Sequence, residues 1–543
     1  MPLLDSPRPG RAAVRSRLAV AGVVAAAVIG PIAVHRTAPS PVIDGPYARL
    51  LAESTDLGPA RGAPVRLIAA LNRPAMPLGL NQWASLRGLT VHWRAGDAWA
   101  VVEGAPDAVA AAFGVSIRRY RARGGEVFDA AAQQPGVPAP ASGEVAGLGR
   151  ILTYTPYREG LPPTPPRDVP GGGLLPTQLV SAYNMTGLTR LGFTGKGSTV
   201  VVFSFDGFDQ ADLDSFADWF DVPRFTPQVV GGMPPHRTGE STMDLQMIHA
   251  IAPDATLVMV NARPTVEGGG VAGEGTAYEK LGKLMESVDR KFPGAVWSLS
   301  VGWGCDRLMT AADLAPVRSA LAAAHRHGTT AFDATGDMAG LECRGGKRWS
   351  DPPSPDDVGV DAVASVPEMT AVGGTTLSTD AGGGWLAEQS WYDVPLTQGS
   401  AGGASALFGR PPWQNVEAAA GPADRRLVPD VAAVADPFTG VKFVYRQQVV
   451  IGGGTSQAAP LWAGIAAVVN QLLTSQGLRP LADLNPLLYT VAKGSALPGF
   501  RDIELGGNAV SPGNRGYDMV TGLGSPNVGN LVKDIVLIRT ERA

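Results

Sequence analysis

Residues 452–460 read Gly452-Gly453-Gly454-Thr455-Ser456-Gln457-Ala458-Ala459-Pro460 and run without interruption into the apolar stretch LWAGIAAVVNQLL. A tight glycine turn here becomes a buried helix, with Ser456 at the junction. Glycines let a substrate backbone approach closely. The start of a helix presents unpaired N–H groups and the positive end of its dipole. Such a place suits a nucleophile whose attack creates an oxyanion, provided that the rest of the chain supplies a base and an oxyanion partner.

Working outward from this segment, apolar runs of strand length alternate with helical segments. STVVVFSF precedes ADLDSFADWF, and ATLVMVNA precedes a helix through Tyr278–Arg290 that leads to AVWSLSVG. APVRSALAAAHRHG leads into TTAFDATGD. Strands continuous in Val, Leu and Ile and separated by helices predict an α/β fold, a parallel sheet with helices on both faces, whose site lies at the carboxyl ends of the strands. Nearer the N-terminus, VRLIAALN, LTVHWRAG, AWAVVEG and the helical APDAVAAAFGV predict a small α+β unit. GLPPTPPRDVPGGG lies between the two and is too rich in Pro and Gly for helix or strand. It marks an exposed linker open to proteolysis. The expected organisation is an N-terminal targeting segment over 1–40, the α+β unit over 44–158, the linker over 159–173 and the main domain over 174–540.

At 543 residues the chain exceeds one ordinary domain, and its 45% hydrophobic and 17% charged content is that of a globular protein. A net charge of −4 and the lack of a basic stripe with interleaved aromatics argue against nucleic acid. Arg8, Arg11, Arg15 and Arg17 precede an uncharged apolar run from Leu18 to Val34. This is the pattern of a signal peptide or an uncleaved membrane anchor, and it places the bulk of the chain outside the cytoplasm or at the cell envelope. No later segment reads as a membrane helix. Cys305 and Cys343 are the only cysteines, so they form one bridge in an exported chain or remain two unrelated buried thiols.

None of the six histidines sits in an HGTH-like turn that would pair with Ser456. Carboxylates are the alternative base. Glu240 and Asp244, in TGESTMDLQMIHAIAPDA, stand at i, i+4 on one predicted helix face. Two carboxylates that close resist joint ionisation, so the pair can share a proton and relay it to a hydroxyl. With a free Glu near a pKa of about 4.3, such a base works best in acid. The plainer reading is a solvated acidic patch at a helix start. Asp337, in ATGDMAG after a buried strand, is ordinarily a turn-former. Protonated and facing Ser456, it could donate to an oxyanion.

These motifs, taken together, resemble the sedolisins, the serine-carboxyl peptidases. GGGTSQAAPLWAG, the Glu240/Asp244 pair, SLSVGWG and ATGDMAG occur in that family's order and context. LPTQLVSAYNM, VASVPEMTAVGGTTL, GSAGGAS, FGRPPWQ, RRLVPDVAAVADPFTG and GYDMVTGLGSPN also look like its core segments. The match runs from about Leu174 to Leu531. It implies a subtilisin-like sheet, with Ser456 as nucleophile, Glu240 as general base and acid, Asp244 as its support and Asp337 as the oxyanion acid. Many family members carry an aromatic residue where this chain has Val301. The segment Phe113-Gly114-Val115, Tyr120 and VAGLGRI resemble, more loosely, the family's activation prodomain of the kumamolisin type. The implied protein is a zymogen whose prodomain acts as an intramolecular inhibitor until cut between about Gly160 and Leu174.

Near the C-terminus, Asp502-Ile503 and Asn514-Arg515-Gly516-Tyr517-Asp518 supply carboxylates and carbonyls in Gly-rich loops. Ordinary turn chemistry explains that spacing. The resemblance implies Ca²⁺ held through Asp502, Ile503, Asn514, Gly516 and Asp518. Cys305 and Cys343 flank the expected site, which favours a disulfide if the chain is exported. The expected function is an exported, acid-acting peptidase of peptides or unfolded proteins, secreted or anchored to a membrane by the N-terminal apolar segment. The rival is a non-catalytic envelope scaffold on a peptidase fold.

Overall fold

The computed structural model describes residues 41–155, 172–267, 275–344, 354–393, 398–416, 421–494 and 497–541. The expected targeting segment and most of the expected linker lie outside the described residues. The chain from Pro39 onward forms one compact unit.

Its N-terminal part holds α1 (Gly45–Glu53), β1 (Thr55–Pro59), β2 (Val65–Leu71), α2 (Leu78–Ser85), β3 (Thr90–His92), β4 (Trp99–Gly104), α3 (Pro106–Phe113), β5 (Ile117–Arg121), β6 (Val127–Ala131) and β7 (Val145–Leu148). Strands β3-β4-β2-β7 form an antiparallel sheet, and β1-β5-β6 a smaller one. Leu67, Ala69, Leu80, Trp83, Val102, Val109 and Phe113 make a core of their own. This is the expected α+β unit.

The larger part begins with short helices α4 (Gln178–Ala182) and α5 (Thr186–Arg190). Then come β8 (Thr199–Ser204), α6 (Gln210–Phe220), β9 (Gln228–Val230), α7 (Glu240–Ile251), β10 (Thr256–Asn261), α8 (Ala277–Lys291), β11 (Val296–Leu299), α9 (Ala315–Arg326), β12 (Thr330–Ala334), β13 (Thr370–Thr379), β14 (Trp385–Ser390) and α10 (Thr455–Ser475). Among the described residues an eight-stranded sheet runs β14-β13-β12-β11-β8-β10-β9, with the strand Val431–Val434 added beside β13. All its pairings are parallel except β13 with β14.

Alternate residues of β8 explain why both faces are covered. Val200 and Val202 pack with Met243, Met247, Ala459 and Trp462, from α7 and α10. Val201 and Phe203 pack with Leu281, Met285 and Leu321, from α8 and α9. A strand buried on both sides carries no polar alternation, which is why it reads as a continuous apolar run. From β8 the chain builds the sheet first through β9 and β10, then reverses through β11, β12 and β13 on the other side. Such a reversal opens a crevice at the carboxyl ends of the strands.

One expectation is corrected. α10 does have the length and apolarity of a membrane span, yet 83% of its most apolar window is buried inside the protein. Its composition is that of a helix enclosed by a sheet and by α7.

Candidate active site

Three features of α10 fix Ser456. Gly454 has φ +82°, and a Cβ there would lie 2.7 Å from a carboxylate oxygen of Asp337, so no other residue fits without displacing that acid. Thr455 donates to Asp337 Oδ1 twice, from its N–H at 2.8 Å and its hydroxyl at 3.0 Å. Pro460 lies inside the helix and has no N–H, which deprives the Ser456 carbonyl of its intrahelical donor. The Ser300 hydroxyl donates to that carbonyl at 3.2 Å, so the end of β11 supplies what the helix lacks. The Ser456 hydroxyl faces the Ser300 carbonyl at 3.5 Å and hydrogen-bonds the Glu240 carboxyl group.

Glu240 is the first residue of α7, after Gly239 at φ +105°. Every residue from Ser241 to Ile251 is buried, so the expected solvated acidic patch is not what forms; Asp244 is only 2% exposed. One oxygen of each acid, Glu240 Oε1 and Asp244 Oδ1, is buried without a hydrogen-bond partner. Burial and then the charge of Asp244 hold the Glu240 carboxyl group well above the usual carboxylate range. Burial does the same for Asp244, opposed by the Ser300 side chain beside it. Two acids brought together out of water retain a proton between them.

Asp337 follows β12 and completes the group. Burial pushes its carboxyl up to about 6, against the two hydrogen bonds from Thr455. The Ser456 N–H belongs to the first turn of α10, where helical N–H groups have no intrahelical acceptor. The four catalytic positions expected from the sequence are therefore together: Asp337 beyond the carboxyl end of β12, Glu240 and Asp244 near the start of α7, and Ser456 at the start of α10.

Among the described residues no histidine is directed at Ser456. His249 is buried, stacked on Phe225 at 3.9 Å, with Nε2 2.6 Å from the Pro223 carbonyl oxygen. His325 meets the carbonyls of Thr329 and Glu368, and His327 meets Asp289. Sequence reading missed Ser300, Thr455 and Asp206. Pro460 inside a helix was the signal for Ser300, because it announces an orphaned carbonyl four residues earlier. Val301, 3% exposed, lines a small recess beside Glu240, Ser204 and Asp206.

Cys305 and Cys343 form a disulfide with Cα atoms 4.5 Å apart, tying the segment after β11 to the segment after β12. The N-terminal unit packs on these same segments. Arg49 reaches Asp357 at 2.7 Å and the Cys343 carbonyl at 2.8 Å, and Asp313 accepts the Arg150 N–H at 3.1 Å. Arg66 pairs with Glu279 at 3.0 Å and Arg94 with Glu286 at 2.6 Å, both on α8. Tyr47 of α1 is fully buried among Tyr278, Trp303 and Leu308.

The C-terminal loops bring together the residues expected to hold a metal. Asp502 accepts the Gly516 N–H at 2.7 Å, which joins the two loops. Asp518, fully buried, accepts N–H groups of Val520 and Thr521 at 2.8 Å and of Asn514 at 3.2 Å. A Cβ on Gly513 would lie 3.3 Å from the Ile503 carbonyl oxygen, so that carbonyl faces the second loop. Burial raises both carboxyl groups. Oxygen donors only, two of them carboxylates on loops, fit a hard cation such as Ca²⁺.

No family model matches the chain. Curated relatives do. Kumamolisin of Bacillus sp. (strain MN-32) is 29% identical over 520 residues, 89% of this chain and 85% of its own length. Sedolisin of Pseudomonas sp. (strain 101) is 25% identical over 79% of this chain and 73% of its own. Human tripeptidyl-peptidase 1 is 28% identical over 74% and 72%. Among solved structures, Pseudomonas sedolisin, a serine-carboxyl proteinase complexed with pseudo-iodotyrostatin, shares the fold at a TM-score of 0.56 and 24% identity, over 67% of this chain and 98% of that one. The alternating sheet, the acids gathered around Ser456 and these likenesses agree: the chain is a serine peptidase, similar over most of its length to kumamolisin and sedolisin.

Proposed function

We propose that the protein is an exported, acid-acting serine-carboxyl peptidase made as a zymogen. The observation that carries this reading is a serine hydroxyl hydrogen-bonded to a carboxyl group that burial and a second acid keep protonatable, with a third raised acid held by Thr455, the chain neighbour of Ser456. Ser456 Oγ attacks the scissile carbonyl of a peptide or unfolded protein while Glu240 takes its proton. Asp337, protonated, and the Ser456 N–H hold the oxyanion. Glu240 returns the proton to the leaving amine, which leaves an acyl-enzyme. Water, giving its proton to Glu240, then attacks the ester and releases Ser456. Asp244 shares the proton that Glu240 gains and loses. Acid is needed because the oxyanion donor must keep its proton, and Asp337 loses it as pH rises through about 6.

The N-terminal unit, expected over 44–158, serves in this reading as an inhibitor held across segments that follow β11 and β12, with release by cleavage within 159–173. Ca²⁺ supplies charge that joins the C-terminal loops, held by Asp502, Asp518 and the carbonyls of Ile503, Asn514 and Gly516. The basic and apolar N-terminus supports export, with secretion or membrane anchoring as its two outcomes. Ser456→Ala is expected to abolish peptide hydrolysis at about pH 3–5, the range in which a carboxyl base operates. Undiminished hydrolysis by that variant would overturn the assignment. Chelation of calcium is expected to lower the unfolding temperature of wild type but not that of Asp518→Asn; equal loss in both would remove the metal from the account.

A further inference from the structure

Asp206 lies two residues beyond β8 and is 2% exposed, and five donors converge on it. Its Oδ2 accepts the N–H of Thr238 at 2.9 Å, the Thr238 hydroxyl at 2.7 Å and the N–H of Gly239 at 3.0 Å. Its Oδ1 accepts the N–H of Ser241 at 2.9 Å and the Ser241 hydroxyl at 2.5 Å. These N–H groups flank Glu240 on both sides. A helix start normally has its orphan donors satisfied by a Ser, Thr, Asp or Asn at the cap position. α7 has Gly239 there, which has no side chain to offer. The cap arrives from another element, at the switch point of the sheet.

The same carboxylate sits beside the acid pair and lines the recess that Glu240 and Asp244 also line. The pair faces Ser300 from the residue after β11, Asp337 from the segment after β12 and Ser456 from α10. From the hairpin of strands Lys442–Tyr445 and Gln448–Ile451, the Tyr445 hydroxyl is given to the Arg237 carbonyl at 2.6 Å. Arg237 itself turns to Asp209 at 3.3 Å, and Asp212 of α6 is held by the Arg446 and Gln447 N–H groups. Among the described residues no arginine, lysine or histidine hydrogen-bonds Asp206, Glu240 or Asp244. Arg263 gives its Nη1 to the Phe205 carbonyl at 3.1 Å rather than to Asp206. The charge of Asp206 contributes to the upward displacement of both acids.

We propose that Asp206 is a positioning residue of the peptidase reaction: it builds the first turn of α7 so that Glu240 meets Ser456, and its charge keeps a proton on the Glu240–Asp244 pair. The inference rests on the peptidase reading above. Removing the charge makes ionisation of the pair easier, so both limbs of the pH–rate profile that belong to the pair move to lower pH. Removing only a donor leaves them in place.

The test is the pH dependence of kcat and kcat/KM on a peptide substrate for wild type, Asp206→Asn and Ser241→Ala, with Ser456→Ala as blank. Asp206→Asn is expected to shift the profile by half a pH unit or more toward acid and to lower kcat by about 10–100-fold, with KM little changed. Ser241→Ala is expected to lower kcat several-fold on an unshifted profile. If Asp206→Asn does not fold, Asp206→Ser takes its place, since it also removes the charge and keeps a short hydroxyl for the cap. A folded, charge-removed variant with a wild-type profile overturns the proposal, whatever its rate. A wild-type protein no more active than Ser456→Ala would instead overturn the peptidase reading itself.

Discussion

Carboxylates do opposite work in two regions of this molecule. At the centre, Glu240, Asp244 and Asp337 stand near one another and near Asp206, with no cation bonded to them among the described residues. At the face between the N-terminal unit and the main domain, Asp357, Glu279 and Glu286 each meet an arginine, from Arg49, Arg66 and Arg94. An acid buried beside other acids is pushed toward its neutral form, whereas an acid that meets an arginine makes an ion pair. The two sets differ in what stands beside them: the first is suited to hold and pass a proton, the second to fasten one part of the chain to another.

The sharpest way to break this contrast is at Glu240. Glu240→Gln keeps the side-chain shape and removes the proton acceptor. It is expected to lower kcat about 10²–10⁴-fold, the usual worth of a general base, with the contacts of the N-terminal unit unaffected. Steady-state kinetics on a peptide substrate checks this, and a loss under tenfold would mean that another group serves as base. Asp337→Ala follows, with an expected loss of about 10²–10³-fold in kcat, the cost of one oxyanion donor. Its KM should stay within a few-fold, since the bond matters only once charge develops on the substrate oxygen.

A third effect is on stability. Burial raises Glu240, Asp244 and Asp337 above their unfolded values, so their contribution is full below the ordinary carboxylate pKa of about 4 and is lost as pH rises through the folded values. For Asp337 that loss begins near the unfolded value and is complete by about 6. Unfolding temperature should fall as pH rises from about 4, and up to about pH 6 it should fall less in Asp337→Asn, which has no carboxyl to ionise. Thermal scans across that range, with equal slopes for both proteins, would contradict the assignment of Asp337 to the raised set.

What could be read in the sequence divides along the same contrast. The doubly covered sheet was legible because strands such as STVVVFSF are apolar at every position, and Ser456, Glu240, Asp244 and Asp337 were legible through family resemblance. Spacing alone favoured plainer readings for the acids: a solvated patch for Glu240 and Asp244, a turn for Asp337. Only packing turns them into a cluster with Asp244 buried and Glu240 and Asp337 half-buried beside it. Asp206 and Ser300 were not legible, because their work is done across more than thirty residues and more than one hundred and fifty, on a helix start and on a carbonyl orphaned by Pro460. α10 was legible as a buried helix, but its match to a membrane span in length and apolarity was overlooked: a helix enclosed on all sides has the same composition as one enclosed by lipid. The arginine pairs of the interface were equally silent, since a charge on an α+β unit gives no hint of which surface will receive it.

Those pairs carry the smallest expected effect and the most direct probe of the comparison. Arg94 is 57% exposed and Glu286 16%, so the pair is screened by water and salt, and each such bridge is worth only about 0.2–1 kcal/mol. Arg94→Ala should therefore speed release of the N-terminal unit by no more than about fivefold at neutral pH. The Arg66→Ala, Arg94→Ala double variant should speed it further, approximately as the product of the two, because the partners Glu279 and Glu286 stand seven residues apart on α8. Salt should shrink the difference, because it screens the attraction that the variants lack. Release rates measured by the appearance of the shortened chain, at low and at high ionic strength, test both halves of the argument. Variants that are faster at low salt and match wild type at high salt place the charge of the arginine pairs in control of release. Variants faster by the same factor at both salt concentrations would show that the arginines act through packing of their aliphatic stems instead.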